Sequence, residues 1–250
     1  MVRSALMISV LGLAACATTT PGSRPHDMST AQHDQEAAIH ANTAEQHAAQ
    51  FDANAKAIQE RCRPRAIGAG VDRAIYPDIC WRSVTNPTET HRREAAEHRR
   101  HAADHRSGSA ALREAEARAC VGIDPDDRDT SPFDHVEDIA RVEALVERNG
   151  IPGKTGSQRA LGAVITFRAV PGLTAEWLQR VVDCHLARNA SLGHVVPEMP
   201  SCPLVPNGVR ARVSSAGDGF AVEVRSDDPT TAGEILSRAE KLLRPPLSGG

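Results

Sequence analysis

From residue 30 to 51 and again from 91 to 112 the chain repeats one pattern, histidine and alanine alternating in steps of four and three. The first copy runs His33, Ala37, His40, Ala44, His47, Phe51. The second runs His91, Ala95, His98, Ala102, His105, Ser109, Leu112. Such spacing draws a stripe along one side of an α-helix, as in the a and d positions of a coiled-coil seam, with alanine at a and histidine at d. Both segments are rich in Ala, Glu, Gln and Arg and lack an interior proline, so they predict two long helices. Asn86 and Pro87 read as the N-cap and first position of the second helix, and Gly122 as its stop. The first helix carries Asp34, Glu36 and Glu45 without Lys or Arg over 27–50, whereas the second is rich in Arg, so opposite charge favours their pairing.

After residue 137 the period changes. Leu161, Ala163, Ile165 and Phe167 alternate as in a strand, and "RVEALVE" before them is open to either strand or helix. Thr174 caps a helix bearing Trp177, Leu178, Val181, Val182 and Leu186. "VRARV" and "FAVEV" flank "SSAGDG" as a hairpin, and Asp228 and Pro229 open a last helix with Ile235, Leu236, Ala239 and Leu242 inward. The fold class expected is α+β: an antiparallel helical hairpin with a His/Ala heptad seam, then a small sandwich in a ferredoxin-like arrangement.

The first residues alter the setting. Arg3, an apolar run from Ala5 to Leu13 and small residues before a cysteine have the order of an export signal, and the run is too short for a membrane span. "LAAC", Leu13 to Cys16, resembles the lipobox of bacterial lipoproteins. The resemblance covers about the first 16 residues. It implies cleavage before Cys16, acylation of that cysteine and a membrane partner through the lipid; by analogy, Ala17 in the next position implies the outer membrane, with the folded part in the periplasm. The organisation expected is a signal peptide over 1–15, a Thr, Pro and Ser-rich tether without fixed structure over 16–25, a helical hairpin with a Cys-containing connection over 26–122, a linker over 123–137 and an α+β domain over 138–250.

Export makes disulfides persistent. The nearest neighbours in sequence are Cys62 with Cys80 and Cys184 with Cys202, each loop worth about 3 kcal/mol in the chain-entropy model. Cys120 is then free, or replaces one of the four. No CxxC or CxxCH spacing occurs.

Composition removes one class of partner. The net charge is -3, both signs are mixed along the chain and aromatic residues make up 3%. A nucleic-acid surface would need a basic face and stacking platforms, so no nucleic acid is expected.

The seam histidines admit three readings. In antiparallel pairing a faces d, so each ring is expected over a methyl group: His40 with Ala102, Ala44 with His98, His47 with Ala95, Phe51 with His91. That is a structural, half-buried polar seam. Alternatively they bind a divalent transition metal such as zinc, copper or nickel. Seven residues rise about 10.5 Å, so seam neighbours cannot share an ion, but His101 pairs with His98 or His105 and a third ligand comes from His33 or His40. A third reading is a pH sensor, with buried neutral rings lost as pH falls.

Elsewhere Cys184, His185, His194 and Cys202 fit no zinc template; a disulfide with surface histidines is expected there. The cluster Asp124, Asp126, Asp127, Asp129 lacks the EF-hand pattern and reads as a turn with Asp124 capping a short helix. GxSxG, HExxH and Walker motifs are absent. The functional expectation is a membrane-anchored envelope lipoprotein acting as a non-enzymatic binding or structural module with a protein partner in the envelope. A metal-binding lipoprotein using the hairpin histidines is the alternative, and an envelope hydrolase the second alternative.

Overall fold

The computed structural model describes residues 20–63, 79–149 and 157–243. The export signal, Cys16 and the start of the tether lie outside these residues. The chain is mixed α+β with two small antiparallel sheets.

Helix α1 (Thr30–Gln50) and helix α2 (Glu89–Ala119) lie side by side in antiparallel sense, with His33, His40 and His47 level with His105, His98 and His91. Ser29 caps α1 through a capping box with Gln32. Asn86 does not cap α2. It accepts from the Thr88 amide at 2.8 Å and donates to the Asp52 carbonyl at 2.7 Å, so it ties the ends of the two helices together, and α2 begins three residues later. At the far end Gly122, at φ +71°, turns the chain out of α2.

Between the helices, strands β1 (Ala57–Arg63) and β2 (Ile79–Thr85) form a two-stranded ribbon in which Cys62 and Cys80 are directly opposed and disulfide-bonded. The short helix α3 (Pro125–Asp129) follows α2, with Asp124 accepting from the Asp126 amide.

The second sheet joins β3 (Ile139–Asn149), β4 (Ser157–Phe167), β5 (Arg210–Ala216) and β6 (Gly219–Arg225) in the order β3-β4-β6-β5, every pair antiparallel. "RVEALVE" is thus strand. Helix α4 (Ala175–Ser191) links β4 to β5, and α5 (Pro229–Lys241) follows β6, both capped by the residues expected, Thr174 and Asp228. The helices cover one face, where Ala163, Ile165, Val222 and Val224 are fully buried with Leu178, Val182, Ile235 and Ala239. Gly162 (φ +145°) sits where a Cβ would lie 2.0 Å from the Val224 carbonyl oxygen, so only glycine permits the β4–β6 approach there.

Two expectations about the cysteines and the tether change. Cys184 is bonded to Cys120, not to Cys202, and Cys202 is a free, buried thiol in the core. The last turn of α2 packs along α4, where Arg188 pairs with Glu116 and Arg180 donates to the Val121 carbonyl, so the cysteine distant in sequence is the one nearby in space. The end of the expected tether is packed rather than loose. Thr20 and Ser23 are buried, Thr20 Oγ1 donates to Asp104 at 2.5 Å, and Ser23 Oγ donates to the Thr20 carbonyl at 2.7 Å. Gly108 of α2 makes room for this docking, since a Cβ there would stand 2.7 Å from the Ser23 carbonyl oxygen. Among the described residues no helix is long and apolar enough to cross a membrane.

Candidate functional site

The seam between α1 and α2 concentrates the chain's imidazoles. His33 meets His105, His40 meets His98 and His47 meets His91, with Nδ1 to Nδ1 distances of 3.2, 3.0 and 3.3 Å. This corrects the expected register by one helical turn: His40 faces His98 rather than Ala102, and His47 faces His91 rather than Ala95. Ala37, Ala44, Ala95 and Ala102 are instead buried in the layers between the ring pairs, at 1–3% exposure. The reason is hydrogen bonding. At the sealed His33–His105 layer a ring over a methyl group would leave its inward nitrogen without a partner, and an unmet buried polar atom costs about 1–3 kcal/mol. Ring on ring meets both nitrogens, while small alanine layers let the helices close. Phe51 does not enter the pattern; it is the C-cap of α1.

The column is continuous. His105 stacks on His40 as well as contacting His33, and His98 stacks on His47, with centroids 5.8 and 5.6 Å apart. His101, one turn from the seam stripe, turns its ring edge to His40 at 5.0 Å and to His98 at 6.0 Å. One ligand atom from each of His40, His98 and His101 falls within 4.8 Å of the others, and all three rings are half-buried. Tetrahedral bonds of about 2.0–2.1 Å need donor atoms about 3.3 Å apart, so small ring rotations from this arrangement would let three nitrogens of two helices hold one borderline transition ion and leave a vertex open.

The two ends of the column differ. His33 and His105 are sealed, at 0% and 2% exposure. His33 Nε2 donates to the Pro25 carbonyl at 3.4 Å, which leaves its Nδ1 to accept from His105. Burial, then the charges of His33 and His40, push His105 below the ordinary imidazole range. This pair is a hydrogen-bonded structural layer. Asp34 flanks it, accepting from Ser109 and Arg113, which is where the charge difference between the helices is realised.

The Cys/His group of the second half does not converge into a site. Cys184 is disulfide-bonded, so it has no thiolate to act as nucleophile. His185 is fully buried rather than on the surface, with Nε2 donating to the Asp127 carbonyl at 2.9 Å. His194, at φ +62°, uses Nδ1 on the Val205 carbonyl. Its buried Nε2 has no hydrogen-bond partner among the described residues. It borders a cavity of about 790 Å³ between α2, α4 and the start of β5, which Leu112, Leu186, Ala190, Val209 and Asp228 also line. The sequence offers His194 as a surface histidine of the Cys/His group, and its periodicities hold no sign of this cavity.

No protein-family model, no curated protein and no solved structure matches this chain.

Proposed function

We propose that the protein is an envelope lipoprotein whose paired helices bind a divalent transition metal, zinc, copper or nickel, at His40, His98 and His101, and which acts by binding rather than by catalysis. The observation that carries this reading is that rings from both helices face one another across the seam with His101 beside them. The sealed His33–His105 pair sets the helix register, and the more open histidines take the ion. The lipobox supports the anchoring part, through Cys16, in the outer membrane. The four-stranded sheet is read as a ferredoxin-like layer in which β3 supplies an edge strand from the N-terminal side. The cavity beside His194 supports a second binding role for this α+β unit, toward a small ligand that donates a hydrogen bond to Nε2.

Calorimetric titration of the purified, untagged protein with Zn²⁺ tests the proposal. Saturable binding that His98→Ala or His101→Ala weakens by roughly tenfold or more per lost ligand is expected. Equal binding by wild type and both variants would refute it.

A further inference from the structure

At the open end of the seam, beside the ribbon, a second donor group stands apart from the first. Its members are His47 of α1 and His91 of α2, with Glu94 one turn along from His91. Glu94 Oε2 lies 3.1 Å from His47 Nδ1 and 3.5 Å from His91 Nδ1, and the two nitrogens are 3.3 Å apart. All three edges of the triangle thus involve the same three atoms.

Bonds of about 2.0–2.1 Å to a tetrahedral zinc ion place its ligand atoms about 3.3 Å from one another. The observed edges of 3.1, 3.3 and 3.5 Å bracket that value. An ion about 0.7 Å out of the triangle's plane would sit about 2.0–2.1 Å from each donor, with no movement of the helices. Two imidazoles and one carboxylate on a single face form the donor set of metal centres that keep a vertex for an exogenous ligand. Exposure agrees with an open vertex, at 24% for His47, 31% for His91 and 47% for Glu94.

We propose that His47, His91 and Glu94 form a second divalent-metal site, with zinc as its natural class of occupant and a solvent-facing vertex through which ions or small anionic ligands exchange. His47 is one heptad along α1 from His40, so the two ions would be about 10 Å apart and fill as separate sites. The carboxylate makes this site harder and more exposed than the all-imidazole one, which fits it for loading and release. The proposal shares with the function above only the premise that paired seam imidazoles accept metal.

The experiment uses the untagged, disulfide-intact protein, titrated with Zn²⁺ by calorimetry and with Co²⁺ by visible absorption. Wild type is expected to bind two ions per chain. Glu94→Gln, which keeps the side chain's size on an exposed helix face, is expected to bind one. His101→Ala is also expected to bind one, the ion retained at Glu94. Added azide should shift the Co²⁺ spectrum of His101→Ala and leave the remaining ion's binding intact. Two ions in Glu94→Gln would overturn the second site, and an azide-insensitive spectrum would overturn its open vertex. Two ions in wild type and in His101→Ala, with one in Glu94→Gln, would uphold this site and remove the His101-containing one. No binding in wild type would overturn both.

Discussion

Two glycines in helices should respond oppositely to the same substitution. Gly233 lies on the exposed face of α5, and a Cβ there would meet nothing within 4 Å. Gly233→Ala should therefore stabilise the protein by about 0.5–1 kcal/mol, the helix-propensity difference between the two residues. Gly108 lies in α2 beneath the docked N-terminal segment, and its Cβ would be 2.7 Å from the Ser23 carbonyl oxygen and 2.9 Å from His33 Cε1. Neither neighbour can swing aside. Ser23 is held through its amide and hydroxyl to the Thr20 carbonyl, and the His33 ring is fixed between Pro25 and His105. Forcing a methyl group into such a space costs about 1–3 kcal/mol, which cancels or exceeds the propensity gain. Gly108→Ala should end about 0–2 kcal/mol less stable than wild type, leaving the two variants about 1–3 kcal/mol apart. Urea unfolding followed by far-UV circular dichroism, with disulfides intact, measures that gap. Equal stabilisation by both substitutions would show that residues 20–25 do not rest on α2, and the account of Gly108 would fail.

Three further outcomes are expected. Cys16→Ser should abolish the acyl mass on the mature protein and release it from the membrane fraction; a lipid-bearing variant would remove the anchoring proposal. Replacing Cys120 and Cys184 together by serine should cost about 4 kcal/mol in the chain-entropy model for a separation of 64 residues, with an unchanged thiol count at Cys202. Retained stability in that double variant would contradict the pairing. Burial above all holds His185 and His194 below the ordinary imidazole value of 6.5. The unfolded chain then binds more protons than the folded one below about pH 6.5, so stability should be present above that pH and lost as pH falls toward the lowered values. The urea midpoint should fall between pH 7.5 and 5, and His185→Phe should flatten that slope; a flat wild-type profile would refute it.

The heptads made the stripe on each helix legible, and strand alternation and the caps at Thr174 and Asp228 made the second half legible, because these are local properties of consecutive residues. Pairing across elements was not local. A seam with His at every d position and Ala at every a position packs in either of two registers one turn apart. The choice turns on whether ring nitrogens find partners, a cost that periodicity does not express. Likewise nearest-neighbour reasoning joined Cys184 to Cys202, whereas the packing of α2 on α4 brought Cys120 to it. Glu94 had a readable signal, its place three residues after His91, but counting imidazoles alone passed over it. His101 was singled out by spacing, and the structure sets it beside His40 and His98.

The seating of Thr20 against Asp104, midway along α2, has a mechanical consequence for a lipid-bearing Cys16. Only four peptide steps separate the two, a reach of at most about 14 Å. Such a leash would hold the flank of the helix pair against the headgroups instead of letting it roam the periplasm. Asp104 stands one turn beyond His101 on α2, so a bilayer held there would border the same flank of the arm that carries His101 and Glu94.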